Sequence, residues 1–316
     1  MGHKKFFISL GMFVIAGVLG ASVAWTADFP SKPVTLMVGF VPGGPSDIQA
    51  RAVATGAEPF LGQPMVVSNK PGASGTVMMT ILANSKPDGY TLCLTPGSVA
   101  VAPYFVKASY DLVKDFTYLI ALAVQSDSIT VRADSPFKTL KDAIDYARQN
   151  PDMVKIGTPG VGISVSVIAE IIGRKAGVKW TIVPFKGSGE VTPAVLGGHI
   201  QMATNTGEQF NLVKAGKLRL LAVATPERLK EFPDVPTLRE CGFDLDTFTL
   251  CGIMGPPKMP EPVVRKLVDV FTKAKEQPAY LETIKSLNLL PLTATGQDFQ
   301  RLMADHYKKI GEYIKK

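Results

Sequence analysis

Short apolar runs of strand character alternate with helix-periodic runs through most of this 316-residue chain, and that alternation restricts the fold more than any single motif. The strand-like runs are VTLMVGF (34–40), MVVSN (65–69), YTLCLT (90–95), SITV (128–131), KIGT (155–158), WTIVPF (180–185), QMATN (201–205) and LRLLAVA (218–224). Helical patterns lie between them at 48–61, 76–83, 140–150, 165–176, 189–196 and 210–215. Alternation of this kind builds βαβ units and a mainly parallel sheet flanked by helices, an α/β fold. The tail is different: 262–275, 278–287 and 298–315 read as amphipathic helices, with Gly296 and Gln297 punctuating the last pair. Some 290 residues beyond an N-terminal leader suffice for two domains of ordinary size.

Residues 1–27 read as that leader. His3, Lys4 and Lys5 precede the apolar run FFISLGMFVIAGVLG and the small-residue stretch ASVAWTA, the pattern of a secretory signal peptide. Cleavage after Ala24 places Ser22 and Ala24 at the small-residue positions, and cleavage after Ala27 is the alternative. No later stretch is apolar enough to span a bilayer, so the mature chain is expected to be soluble and exported to the periplasm. Loss of Lys4 and Lys5 lowers the formal net charge from +7 to +5. A modest positive excess suits a small anion, and without basic clusters interleaved with aromatics it does not suit nucleic acid. Cys93, Cys241 and Cys251 lie in apolar settings and read as free thiols, although export permits a Cys241–Cys251 pair. No CxxC and no Cys/His grouping has metal-ligand spacing, so neither a metal nor a cofactor is expected.

The stretch VTLMVGFVPGGPSD (34–47) runs from a buried strand through a Pro-Gly-Gly-Pro turn into a helix. The first-turn N–H groups of a helix lack internal partners and sit at the positive end of its dipole, so this geometry suits an anion. Gly43 and Gly44 allow the backbone to approach a ligand closely, and Asp47 reads as an N-cap accepting from an N–H two or three residues on. A second unit of like build, KIGTPGVGISVSVIAEIIGRKAG (155–177), lies in the other half. Two such turns suggest two lobes with a ligand held between helix N-termini, and clefts between domains are favoured ligand sites.

Neither turn has the Lys-Ser/Thr of a P-loop or the full dinucleotide fingerprint, which favours a small carboxylate over a polyphosphate. Asn69 with the loop 70–75, then Thr95, Gly97 and Ser98, Lys186 to Ser188, and Asn205 with Thr206 also end strands in small polar residues, as a concave site with few charges would. Signs of catalysis are sparse. His199 and His306 follow a helix end and lie on the polar face of the last helix, respectively, and no Gly-x-Ser-x-Gly elbow or acidic pair stands out.

The chain resembles the extracytoplasmic solute receptors of tripartite tricarboxylate transporters, the Bug family. The resemblance rests on an ordered set: FPSKP (29–33), FVPGGPSD (40–47), LGQP (61–64), NKPGASG (69–75), PDGYTL (87–92), PFKGS (184–188), LGG (196–198), AGKLR (215–219) and PDVPT (233–237). It implies a type II-like, two-domain periplasmic binding fold with the ligand cleft between the domains. Residues 28–124 with 250–316 would form domain 1 and residues 125–249 domain 2, the chain crossing near 121–125 and returning near 249–252. It implies no enzyme activity, a small organic acid as ligand, a dicarboxylate that can carry an apolar or aromatic body, and membrane transporter subunits as partners of a monomeric receptor. In the family one carboxylate is held by backbone groups of the two Gly-rich loops. The residues so expected to bind are Phe40, Pro42, Gly43, Gly44, Ser46 and Asp47 from the first loop and Thr158, Gly160, Gly162 and Ser164 from the second. Ser74, Ser98, Lys186 and Asn205 would complete the site. Ile163, Ser166 and Asn205 stand where the family often has Ser, His and Asp, which makes the loop more apolar and removes a negative charge. Two alternatives are a receptor of the same fold that signals to a sensor kinase and, with less support, an exported hydrolase.

Overall fold

The computed structural model describes residues 29–105 and 107–315, with the side chains of Ser98 and Ala100 excepted. The expected leader, residues 1–27, lies outside the described residues. The strands in chain order are β1 (Val34–Val38), β2 (Met65–Asn69), β3 (Thr91–Pro96), β4 (Thr117–Ser126), β5 (Ser128–Arg132), β6 (Lys155–Thr158), β7 (Thr181–Pro184), β8 (Met202–Asn205), β9 (Leu218–Val223), β10 (Phe248–Gly255) and β11 (Leu290–Thr295). The α-helices are α1 (Pro45–Leu61), α2 (Thr76–Ala83), α3 (Leu140–Gln149), α4 (Ser164–Ala176), α5 (Ser188–Leu196), α6 (Gln209–Lys214), α7 (Glu261–Ala274), α8 (Pro278–Ser286) and α9 (Gly296–Lys315).

Two sheets result, one ordered β11-β4-β10-β3-β1-β2 and the other β7-β6-β8-β5-β9. Both are mixed, which corrects the expectation of mainly parallel sheets. β1 pairs in parallel with β2 and β3, and β6 with β7 and β8. β10 runs antiparallel to β3 and β4, β11 to β4, and β5 to β8 and β9. The antiparallel half of the first sheet comes from β4, β10 and β11, which the helix–strand alternation does not mark. β4 is an almost continuous apolar run without period-2 alternation, and β10 carries Gly252 and Gly255 in its span.

Each sheet buries both faces. In β1, Leu36 packs with Val53, Ala57, Leu267 and Phe271, and its neighbour Met37 points to the other face with Met78, Met79 and Phe299. The second sheet buries Ile129, Val131, Ile156 and Met202 against α3 and α4, and Ala203 with Val191, Val195 and Ile200 on its opposite side. The chain passes from β4 to β5 through the single residue Asp127 and returns through the segment between β9 and β10. α9 touches both halves: Phe299 and Met303 join the core beside the first sheet, and Ile310 that beside the second.

This double packing displaces one expectation. His306 does not lie on a polar face; it is 3% exposed, with its ring 5.2 Å from that of Phe248. Burial, with a smaller effect of Lys309, holds its pKa down at about 4. All three cysteines are free, Cys93 and Cys251 buried and Cys241 half-buried. No helix among the described residues is long and apolar enough to cross a membrane.

Candidate ligand-binding site

Strand β1 delivers the chain to the first Gly-rich loop and the start of α1. Pro45 occupies the first helical turn, where its fixed φ suits the helix and its missing N–H costs nothing. Ile48 N–H is bonded to Gly44 O at 3.0 Å, which leaves the Ser46 and Asp47 N–H groups at the open end of the helix. Asp47 is the third helical residue rather than the N-cap. Its carboxylate reaches back to Gly43 N–H at 3.0 Å, takes Arg51 Nη2 and Nε at 2.9 and 3.1 Å, and takes Asn69 Nδ2 at 3.0 Å. The same Asn69 Nδ2 also donates to Phe40 O at 3.0 Å. Burial opposes ionisation of Asp47, but the bonds from Arg51, Gly43 and Asn69 outweigh it and hold the carboxyl below its ordinary range. The loop is therefore tied down by a charge that is itself fully partnered. Gly43 has φ +86°, a conformation that excludes most side chains, while a Cβ there would meet nothing; its role is conformational rather than close approach.

The second loop, between β6 and α4, is held by neutral bonds. Thr158 Oγ1 donates to Gly160 O at 2.7 Å, and Ile163 N–H donates to Ser166 Oγ at 3.0 Å. Its outer end meets the other lobe: Ser74 Oγ donates to Val161 O at 2.6 Å and accepts from Val161 N–H at 3.0 Å. Its inner end meets the crossing between the sheets. Ser164 Oγ lies 3.3 Å from Thr249 Oγ1, and Thr249 and Thr247 each donate to the Asp127 carboxylate at 3.0 Å. Burial pushes the Asp127 carboxyl up to about 7, against the opposing hydroxyl bonds of Thr249, Thr247 and Ser164.

A third helix start, that of α5, closes on the first loop. A Cβ on Gly189 would lie 2.5 Å from Pro42 O, so a glycine is required where the lobes meet. Between the three helix starts lies a narrow cavity of about 20 Å³ lined by Phe40, Gly44, Pro45, Ser46, Asp47, Pro96, Gln125, Pro159, Ile163, Ser188 and Thr206. Asp47 is the one charged residue of this lining among the described residues, and Arg51 neutralises it. Positive potential thus comes from backbone dipoles, in apolar walls of Phe40, Ile163 and three prolines. No group of three metal-ligating side chains occurs among the described residues.

Of the residues expected to bind, the structure brings Phe40, Gly44, Ser46 and Asp47 to this cavity. Ser74, Gly160 and Lys186, with Phe40, line an adjoining crevice of about 390 Å³. Pro42 and Gly43 shape the first loop from outside the cavity lining. Thr158, Gly162 and Ser164 support the second loop; Thr158 and Ser164 are 0% exposed. A Cβ on Gly162 would lie 2.4 Å from Phe105. Asn205 is buried and occupied, taking Thr130 Oγ1 at 2.7 Å on its oxygen and giving Nδ2 to Glu208 at 2.8 Å. Burial pushes the Glu208 carboxyl up from its ordinary value, in spite of bonds from Asn205, Thr192 and Ser188. The side chain of Ser98 lies outside the described residues. Pro45, Pro96, Gln125, Pro159, Ile163, Ser188 and Thr206 are lining residues that the expected set omits. Ser188 and Thr206 carry a strand-end signal in the sequence, whereas Gln125, inside an apolar strand, carries none.

Comparison with known proteins places the chain. It belongs to the tripartite tricarboxylate transporter receptor family, whose model, described as TctC, tripartite tricarboxylate transporter family receptor, matches residues 49–316. A relative from Cupriavidus necator, the UPF0065 protein in gbd 5'region, is 35% identical over 320 residues, 100% of this chain and 98% of the relative. The structure of the periplasmic binding protein BugD superposes with a TM-score of 0.86 at 28% identity, over 91% of this chain and 98% of that one. MatC from Rhodopseudomonas palustris, with bound malate, superposes with a TM-score of 0.85 at 28% identity, over 90% of this chain and 100% of that one. The fold is accordingly the two-domain periplasmic binding fold, and the family is one of solute-binding receptors, not enzymes.

Proposed function

We propose that this receptor captures a small organic dicarboxylate in the periplasm and presents it, as a monomer, to the membrane subunits of a tripartite transporter. The observation that carries the reading is the convergence of three helix starts on one cavity whose lining, among the described residues, holds no free cation. Backbone N–H groups at helix N-termini are matched to a carboxylate, and in an apolar pocket they act at low dielectric. Malate in the related MatC structure supports the ligand class. Phe40, Ile163, Pro96 and Pro159 give the walls an apolar character that suits a longer or aromatic acid body.

Ligand bridging would favour the closed arrangement, to which contacts between the lobes such as Ser74 with Val161 would contribute. The lobes that move would be residues 28–124 with 250–316 and residues 125–249, with an N-terminal leader directing export. A thermal-shift panel of mono-, di- and tricarboxylates and aromatic acids tests the reading, because a ligand that binds only the folded state stabilises it by RT ln(1 + [L]/Kd). A rise in Tm with one or more dicarboxylates is expected. No shift with any acid would refute the proposed ligand class.

A further inference from the structure

One lining side chain of the cavity is enclosed and unanswered. Gln125, near the end of β4, is 1% exposed, and its Nε2 has no hydrogen-bond partner among the described residues. A buried amide with free N–H groups is disfavoured unless an acceptor meets it. Phe40, Pro96, Pro159 and Ile163 have no side-chain acceptor, Asp47 is taken by Arg51, Gly43 and Asn69, and none of the lining hydroxyls of Ser46, Ser188 and Thr206 is bonded to it.

The placement of Gln125 is also rigid. Its backbone sits in the sheet, paired with Thr249 of β10, two residues before the crossing at Asp127. A side chain on a strand is held more exactly than one on a loop. The helix starts of α1, α4 and α5 offer backbone donors to one carboxylate, while Gln125 offers a neutral side-chain donor from a different element. With the cleft opened enough to admit a ligand, two separate donor sets would meet two acceptor groups.

We infer that Gln125 is a specificity-determining residue of this receptor, its carboxamide donating to the second acceptor group of a bound dicarboxylate. The inference rests on the carboxylate reading proposed above. A neutral amide binds the second group without the desolvated cation that a lysine or arginine would bring, and it rejects a ligand that places a methyl group there. Rejection arises because an apolar end leaves the amide without a partner in the closed cleft.

Calorimetric titration of the mature receptor with two matched pairs, succinate against butyrate and adipate against hexanoate, tests this. Gln125→Met keeps the shape and removes the donor; Gln125→Glu keeps the shape and opposes a second carboxylate. With Gln125→Met, Kd for the bound dicarboxylate should rise about tenfold or more, while that for its monocarboxylate partner changes less than about twofold. Gln125→Glu should cost the dicarboxylate more than Gln125→Met does, and it supplies the same ratio if the methionine variant does not fold. Equal losses for both members of a pair, or no loss for either, would overturn the role of Gln125 and leave the receptor reading standing. Failure of the wild-type receptor to bind any of the four acids in this titration would overturn the role of Gln125, and its cause would be told apart by the wider thermal-shift panel.

Discussion

The two Gly-rich loops look alike in sequence and are held by different forces. The first, Phe40–Asp47, is fixed within its own lobe by an ionised carboxylate with three partners, Arg51, Gly43 N–H and Asn69. The second, Thr158–Ser164, is fixed by neutral bonds, and its two ends reach outside its own sheet, to Ser74 on the opposing lobe and to Thr249 at the crossing. The difference separates two tasks. A loop anchored locally keeps its donors in place whether or not the cleft is closed, whereas a loop anchored across the cleft is complete only when the lobes meet. On the proposed reading, the first loop would be a preformed cradle, and the second would couple the ligand to closure.

Breaking the first anchor should have the largest effect. Asp47→Ala leaves Gly43 N–H and Asn69 without their acceptor and frees the loop. The half-exposed Arg51 contributes little by itself because solvent screens the pair. We expect a stability loss of about 2–3 kcal/mol in urea unfolding, and affinity reduced on the order of a hundredfold in calorimetry. An affinity within a factor of about two of wild type would show that the cradle does not need its anchor.

The crossing beneath the second loop should show itself as a pH dependence. The Asp127 carboxyl titrates at about 7 in the folded protein, above its ordinary 3.8. The folded state therefore holds this proton more tightly, and the stabilisation is full below about pH 4 and fades as pH rises through about 7. His306 works in the opposite sense over a similar window. Its pKa is lowered to about 4, so its contribution is present above its ordinary 6.5 and is lost as pH falls through about 4. The difference between wild type and Asp127→Asn isolates the first effect: the variant should gain relative stability with rising pH, by up to about 1.4 kcal/mol per unit between pH 4 and 7. Denaturant curves at several pH values measure it, and a difference independent of pH would remove Asp127 from the account.

The smallest change is Ser74→Ala, which removes both bonds to Val161 in a partly exposed contact. Such bonds contribute about 1 kcal/mol together, so Kd should rise about fivefold, mainly through faster release, with little change in the melting of the ligand-free protein. Stopped-flow dissociation rates check this. Equal release rates would mean that the Ser74 contact does not belong to the ligand-bound state.

Much of this was legible in the sequence, and the failures have physical causes. All nine α-helices among the described residues follow helix-periodic runs, because each buries one face in a core. β4, β10 and β11 escaped since their signals are an uninterrupted apolar run, a glycine-bearing segment and a half-exposed edge. In the site, the Pro-Gly-Gly-Pro turn announced the first loop, but Asp47 read as an N-cap because its distant partner, Asn69 on β2, is invisible to local pattern. Asn205 shares the strand-end position of real lining residues and differs only in having Thr130 and Glu208 beside it. Gln125 gave no local sign, since its importance comes from the crossing that brings β4 to the cleft.

The central claim, a carboxylate gripped by both loops, is tested most directly by titrating malate calorimetrically into wild type, Gly43→Val and Gly160→Val. Valine at 43 conflicts with a φ of +86°, and a Cβ at 160 would lie 2.9 Å from Ser74 Oγ, so each substitution disturbs one loop. If both loops hold the ligand, each variant, shown by circular dichroism to be folded, binds malate at least about tenfold more weakly than wild type. Wild-type affinity in both folded variants would contradict the claim.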